Sequence, residues 1–379
     1  MKKWMIVAAA LALAVPACLG NAVEREENGA KAAYVCEAES GTAVAARHET
    51  ERLPIASMCK IMTLLLAFEA ADAGELSLEE SVVVSEHAAG MGGSQVFLDS
   101  GLSYPAGELL KSIAVCSAND SCVAISERIA GSEEAFVERM NERARELGAE
   151  DTLFANCTGL PREPQYSCAK DVALMLRELL KHEPFFDYAG IRLEDFRHPD
   201  GRVTTMTNTN KLLRKLEGCD GGKTGFTQEA GFCLAATAKR GETRLVCVVI
   251  GAESSDARFE CTARLLNETF ATHERRVVAA ADRPMENALA VKGSRSDRIG
   301  YAPERSMGIF VKKGEKADVR TELILPAGVR APVMRGDRVG EIVLYLGGVE
   351  VDRCALISLD DAPRYSYGEA FLEGAHLWN

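Results

Sequence analysis

Residues 54–63 read Pro-Ile-Ala-Ser-Met-Cys-Lys-Ile-Met-Thr, an apolar stretch interrupted by one serine, Ser57, and one lysine, Lys60. Three residues of helix put those two side chains on one face. A serine hydroxyl is a poor nucleophile until a neighbour takes its proton, and a lysine takes a proton only when its own charge is disfavoured. The apolar neighbours Ile55, Ile61 and Met62 supply the desolvation that this requires. A helix start also brings positive backbone dipoles to Ser57, which favours negative charge developing there. Taken alone, the pattern is far more often that of a helix start carrying a solvated lysine.

Two further segments change its meaning: Ser117-Ala118-Asn119 and Lys223-Thr224-Gly225. A second cation, Lys223, would disfavour a charge on Lys60. Ser117 can relay a proton to a leaving amine, and Asn119 can hydrogen-bond both a substrate amide and Lys60. The third segment reads as an edge strand on which Lys223 and Thr224 bind a terminal carboxylate. Gly225 there lets a substrate backbone approach closely.

Around these segments, residues 30–275 mix helical and strand signals in an α/β manner. Ala32 to Cys36 and Gly41 to Ala46 predict a hairpin, and Ile61 to Ala73 a buried helix stopped by Gly74. Ser132 caps a predicted helix to Leu147, with Glu133 and Glu134 in its first turn and Gly148 after its end. Phe232 to Ala238 and Leu245 to Ile250 read as adjacent strands, and Arg258 to Thr269 as a helix packing on them. Beyond Pro284 only short β-like runs occur: Leu289–Val291, Gly308–Val311, Val319–Leu325, Glu341–Leu346 and Val349–Leu356. The expected division is therefore 1–22, an export signal; 23–282, the α/β unit; 283–358, a small all-β unit; and 359–379, a tail.

The export signal rests on Lys2 and Lys3, the apolar run from Met5 to Val15, and Gly20-Asn21-Ala22 as a cleavage site. Val15-Pro16-Ala17-Cys18 offers a competing lipobox-like reading. The 44 Lys and Arg against 56 Asp and Glu give a net charge of −12, a sign that repels a phosphate backbone, so no nucleic-acid partner is expected. Hydrophobic residues at 47% and charged residues at 26% exclude disorder and fibrous classes. The 12 cysteines, several inside apolar runs, predict mostly free, buried thiols, and no histidine spacing predicts a metal or cofactor site. In the tail, Tyr367, Phe371, Ala375 and Trp378 recur at helical spacing, which predicts weak peripheral membrane contact. Asp361, Arg364, Glu369 and Glu373 sum to −2, which opposes it at anionic lipid.

The trio in this order, with GGSQVFLDSG (92–101), SANDSCVAISE (117–127), GLPREPQYSCAKDVALM (159–175), NTNKLL (208–213) and GGKTGFTQEAGF (221–232), resembles the serine-type D-alanyl-D-alanine carboxypeptidases, the low-molecular-mass penicillin-binding proteins. The resemblance implies a β-lactamase/transpeptidase-like fold, with a central antiparallel sheet flanked by helices, followed by a small β-rich domain. It also implies Ser57 as the acylated nucleophile, Lys60 as general base, and Ser117 and Asn119 as the second motif. Lys223, Thr224 and Gly225 become the carboxylate-binding strand, and the backbone N–H groups of Ser57 and Phe226 the oxyanion hole. Arg258 matches an arginine that some members have. The implied substrates are peptidoglycan stem peptides, with β-lactams as covalent inhibitors, at the outer face of the cytoplasmic membrane or in the wall. Rival readings are a β-lactamase, for which Glu163 is the only candidate deacylating residue, and a non-catalytic wall-binding scaffold, which would predict a decayed serine, lysine or asparagine. Cys59 departs from the family's usual polar residue and is expected to point off the catalytic face. His48 and His87 are expected at the surface.

Overall fold

The computed structural model describes residues 29–281, 283–366 and 368. The expected export segment and the tail positions Tyr367, Phe371, Ala375 and Trp378 lie outside the described residues. Five antiparallel strands form the central sheet, in the order Ala43–Arg47, Ala32–Glu37, Thr243–Ala252, Gly231–Arg240, Cys219–Thr227. The Leu245–Ile250 run is apolar at every position because both faces of its strand are covered. Val246, Val248 and Ile250 join a core that includes Met62, Leu64 and Leu176. Their alternates Leu245, Cys247 and Val249 pack with Phe259, Leu266 and Phe270 on the other face.

The helices form where the sequence predicts them, with ends set by capping. Lys60–Asp72 is buried along most of its length and is followed by Gly74 at φ 72°, a left-handed conformation that suits glycine. Ser132 Oγ accepts the Ala135 N–H at 3.1 Å at the start of Glu133–Leu147, and Gly148 closes that helix in the left-handed region. The sheet-packing helix runs Ser255–Thr272, three residues ahead of its expected start, because Ser254 Oγ accepts the Ala257 N–H at 3.0 Å. No helix among the described residues is long and apolar enough to cross a membrane.

The second region is all β. Strands Tyr301–Pro303, Val349–Ser358, Arg338–Leu346 and Val319–Ile324 form its largest sheet, over a core that includes Ile299, Met307, Ile342 and Leu356. Its first strand, His273–Ala279, pairs with Met307–Lys312 and so lies ahead of the expected boundary at 283. The sequence there hides it: the strand follows the preceding helix with no turn residue between, and His273, Glu274, Arg275 and Arg276 mask any alternation.

Arg275 ties the two regions together. Its buried guanidinium lies 3.7 Å from the fully buried Glu37 of the central sheet and pairs also with Glu39, and its N–H donates to Thr243 Oγ1 at 2.8 Å. Glu37 Oε2 accepts the N–H and hydroxyl of Ser40, whereas Oε1 makes no hydrogen bond. Arg275→Ala would leave that carboxylate buried without its ion-pair partner, a loss of about 3 kcal/mol in urea unfolding. The double variant Glu37→Gln/Arg275→Met should recover most of it. A single variant within about 0.5 kcal/mol of the parent would show that the pair does not hold the junction.

Candidate active site

Ser57 lies in a short 3₁₀ turn, Ala56–Cys59, immediately before the buried helix. Ala56 is forced to φ 48°, unusual for a residue with a Cβ. Two glycines make room for this turn. A Cβ on Gly159, itself at φ 80°, would lie 2.0 Å from the Ala56 carbonyl oxygen, and one on Gly225 would lie 2.6 Å from the Ile55 oxygen. The close approach that Gly225 permits is therefore to the nucleophile's own backbone, a role that the sequence reading gave to substrate.

Lys60 is fully buried, with Nζ 3.0 Å from Ser57 Oγ and hydrogen-bonded to the Thr158 carbonyl. Three successive carbonyls cover the helix start: Asn156 O accepts Cys59 Sγ at 3.2 Å, Cys157 O accepts Thr63 Oγ1 at 2.7 Å, and Thr158 O accepts Lys60. Asn156 Oδ1 holds this segment in place by accepting the N–H groups of Thr158 and Gly159 at 3.1 and 2.7 Å. Cys59 thus points away from the reacting face, as expected, into a carbonyl that its thiol can satisfy.

Ser117 ends the helix Ala106–Cys116 in a left-handed conformation, φ 67°, and the next helix starts at Asn119. The Ser117 hydroxyl and Asn119 Oδ1 are buried and have no hydrogen-bond partner among the described residues. Asn119 Nδ2 donates to Gly92 O at 2.7 Å. Its expected bond to Lys60 is not made: Oδ1, the atom that could accept from Nζ, stays without a partner among the described residues, and Nζ donates to Ser57 Oγ and the Thr158 carbonyl. Asp120 was missed by sequence reasoning. Its buried carboxylate accepts the N–H groups of Val96 and Leu98, both at 3.1 Å, and fixes the 92–98 segment over Asn119.

Cys219–Thr227 is the sheet's edge strand, as predicted. Lys223 on it is buried, with Nζ 3.2 Å from Thr224 O, and Thr224 Oγ1 donates to Thr209 Oγ1 at 2.7 Å. Burial first, and the neighbouring Lys60 cation second, lower the Lys223 pKa to about 7. Cys122 provides no countercharge, since burial pushes its thiol up to about 12. Phe226 is half-exposed and stacks on Phe232, centroids 4.3 Å apart. Arg258 donates from Nη1 to Gly225 O and Cys233 O at 3.0 and 3.2 Å. It braces the strand through Nη1 while its buried Nε has no hydrogen-bond partner among the described residues, and burial lowers its pKa.

Glu163 is exposed and makes no hydrogen bond or ion pair among the described residues, which gives a deacylating role no support. His48 and His87 are exposed, and His87 pairs with Glu133 at 2.9 Å. The described cysteines are free, and all but Cys116 and Cys219 are buried. No cluster of metal-ligating side chains occurs among the described residues.

A serine and a buried lysine at hydrogen-bonding distance, facing a lysine-bearing edge strand, define a serine acyl-transfer enzyme. The comparisons narrow this. Residues 20–254 match the D-alanyl-D-alanine carboxypeptidase family and residues 274–364 the penicillin-binding protein 5 C-terminal domain. The chain is 37% identical over 339 residues to D-alanyl-D-alanine carboxypeptidase DacF of Bacillus subtilis, covering 89% of this chain and 87% of that one. It is 30% identical to DacC of Escherichia coli, covering 89% and 86%. Penicillin-binding protein 5 of Haemophilus influenzae superposes with a TM-score of 0.68 at 26% identity, over 90% of this chain and 100% of that one. The chain belongs to the D-alanyl-D-alanine carboxypeptidase family.

Because Lys223 is depressed to about 7, it is cationic below that pH and neutral above it. Affinity of the free enzyme for a terminal carboxylate should therefore fall as pH rises through 7. For peptide substrates, kcat/KM should drop roughly 25-fold between about pH 6.5 and 8.5, and Lys223→Arg, permanently charged, should flatten that limb. A parent profile without any fall across this range would contradict the assignment.

Proposed function

We propose that this chain is a penicillin-sensitive serine D,D-carboxypeptidase that removes the terminal D-alanine from peptidoglycan stem pentapeptides through an acyl-serine intermediate. The observation that carries the reading is the 3.0 Å approach of Lys60 Nζ to Ser57 Oγ at a fully buried lysine. Ser57 Oγ attacks the carbonyl carbon of the D-Ala–D-Ala bond, and its proton passes to Lys60. The N–H groups of Ser57 and Phe226 receive the oxyanion. The C–N bond then breaks, a proton reaches the leaving nitrogen through Ser117, and free D-alanine departs from an ester on Ser57. Water, giving its proton to Lys60, hydrolyses that ester.

The remaining residues position substrate. Asn119 Oδ1, buried without a partner, accepts the substrate amide N–H. Lys223 and Thr224 bind the terminal carboxylate, and Arg258 holds their strand through Gly225 O. A β-lactam acylates the same serine, but its opened ring stays attached where D-alanine would leave, so its ester persists. The catalytic unit ends with the helix Ser255–Thr272, and the β-rich unit takes the strand His273–Ala279 together with residues 283–358. The apolar leader at 1–22 supports export, with action on wall peptidoglycan outside the cytoplasm and weak peripheral contact through the aromatic tail.

D-alanine release from a pentapeptide tests the division of roles. Ser57→Ala should abolish it, and Lys60→Ala should lower kcat by about 10²–10⁴-fold with little change in KM. Lys223→Ala should chiefly raise KM. Sustained release by Ser57→Ala would end the serine mechanism.

A further inference from the structure

Glu133 is a buried carboxylate that takes no part in the proton transfers at Ser57. It opens the helix Glu133–Leu147, where an acidic side chain ordinarily turns to solvent beside the free backbone N–H groups. Its neighbour does so: the N–H of Glu134 itself and the Ser132 hydroxyl hold the exposed Glu134 carboxyl below the usual range. Glu133 turns inward instead. Its Oε2 meets His87 Nε2 at 2.9 Å, and Oε1 accepts the Cys157 N–H at 3.2 Å and the Cys157 thiol at 3.3 Å. Burial holds that thiol well above its ordinary pKa, so it stays a donor.

Cys157 lies one residue before the carbonyl that Lys60 uses. Each N–H from 156 to 159 has an acceptor: Gln165 Oε1 takes Asn156, Asn156 Oδ1 takes Thr158 and Gly159, and Glu133 Oε1 takes Cys157. Gln165 and Asn156 belong to this same loop, so Glu133 is the acceptor that another element supplies. The Cys157 carbonyl is held as well, by Thr63 Oγ1 at 2.7 Å. With Cys157 fixed at both its N–H and its C=O, and Thr158 fixed at its N–H, the planar peptides leave the Thr158 carbonyl one direction, toward Lys60 Nζ.

That direction bears on the proton transfer. A neutral lysine carries one lone pair, and its amine rotates about the Cε–Nζ bond. An N–H donated to the Thr158 carbonyl stops the rotation, so the lone pair stays on Ser57 Oγ, 3.0 Å away. Resting on the reading of Lys60 as general base, we infer that Glu133 is a positioning residue for acylation, holding Cys157 so that the Thr158 carbonyl aims Lys60 Nζ at Ser57. The role needs an acceptor and not a charge. Glutamine presents the same oxygen to Cys157 and its amide N–H to the His87 ring, whereas alanine leaves the Cys157 N–H buried with no partner.

Rapid-mixing acylation of the full-length enzyme by benzylpenicillin tests this, because it separates the acylation rate constant from the dissociation constant of the preceding complex, while intact mass counts adducts per chain. Glu133→Ala should lower the rate constant about 10- to 100-fold, with the dissociation constant within about twofold of the parent and acylation still reaching one adduct per chain. Glu133→Gln should stay within about threefold of the parent. Glu134→Ala, which alters the same helix turn without touching Cys157, should leave the rate constant unchanged. In a Lys60→Ala background, Glu133→Ala should cost less than about twofold more, since it acts through that amine. A Glu133→Ala enzyme that acylates at the parent rate, even with fewer adducts per chain, would overturn the inference. So would a glutamine variant as slow as the alanine one, or a full loss repeated in the Lys60→Ala background. Parent-like acylation by Lys60→Ala itself would instead remove the base on which the inference stands, and is read separately.

Discussion

The Ile55–Ser57 backbone is clamped between Gly159 and Gly225, and the rest of the site depends on that clamp. Neither position has space for a Cβ, and Ala56 is held at a positive φ. One piece of strained backbone thereby joins the helix start, the 156–159 loop and the edge strand. The nucleophile's orientation is set by backbone packing, which does not relax when substrate arrives. Strain at such a position persists only where the surroundings over-determine it. Here they do, through the carbonyls of Asn156, Cys157 and Thr158 and through Asn156 itself.

Two buried lysines without a carboxylate partner make an expensive arrangement, since each ion removed from water costs several kcal/mol if it stays charged. The protein meets this cost partly with dipoles. Lys60 has the Thr158 carbonyl and the serine hydroxyl, and Lys223 has the Thr224 carbonyl. It also leaves Ser117 Oγ and Asn119 Oδ1 buried and unsatisfied. Unmet hydrogen-bonding capacity of this kind is what an amide and a carboxylate can satisfy, so the unliganded site already holds an acceptor and a hydroxyl ready for such groups. Arg258, Asp120 and Thr209 act behind this surface, each fixing a segment that carries a reacting group.

Much of this was legible in the sequence because side-chain chemistry at short spacing is local information. Ser57 and Lys60 three residues apart, a serine and asparagine two apart, and a lysine on a glycine-flanked strand identify themselves. The helices were readable from Ser132, Gly148 and Gly74, and the central strand from six consecutive apolar residues that only a doubly covered sheet uses. What stayed hidden is three-dimensional. Gly159 matters because of a carbonyl 103 positions earlier in the chain, and Asp120 because of N–H groups in a loop. The charged strand His273–Ala279 gains its identity only from pairing with Met307–Lys312. Asn119 illustrates the limit from the other side: its type was readable, but its partner was not.

Intact-mass measurement after brief exposure to benzylpenicillin, followed by peptide mapping, tests the acyl-serine account most directly. The account predicts one adduct per chain carrying the full mass of the drug, located on Ser57. No adduct under conditions where the protein remains folded, or an adduct on any other residue, would contradict it.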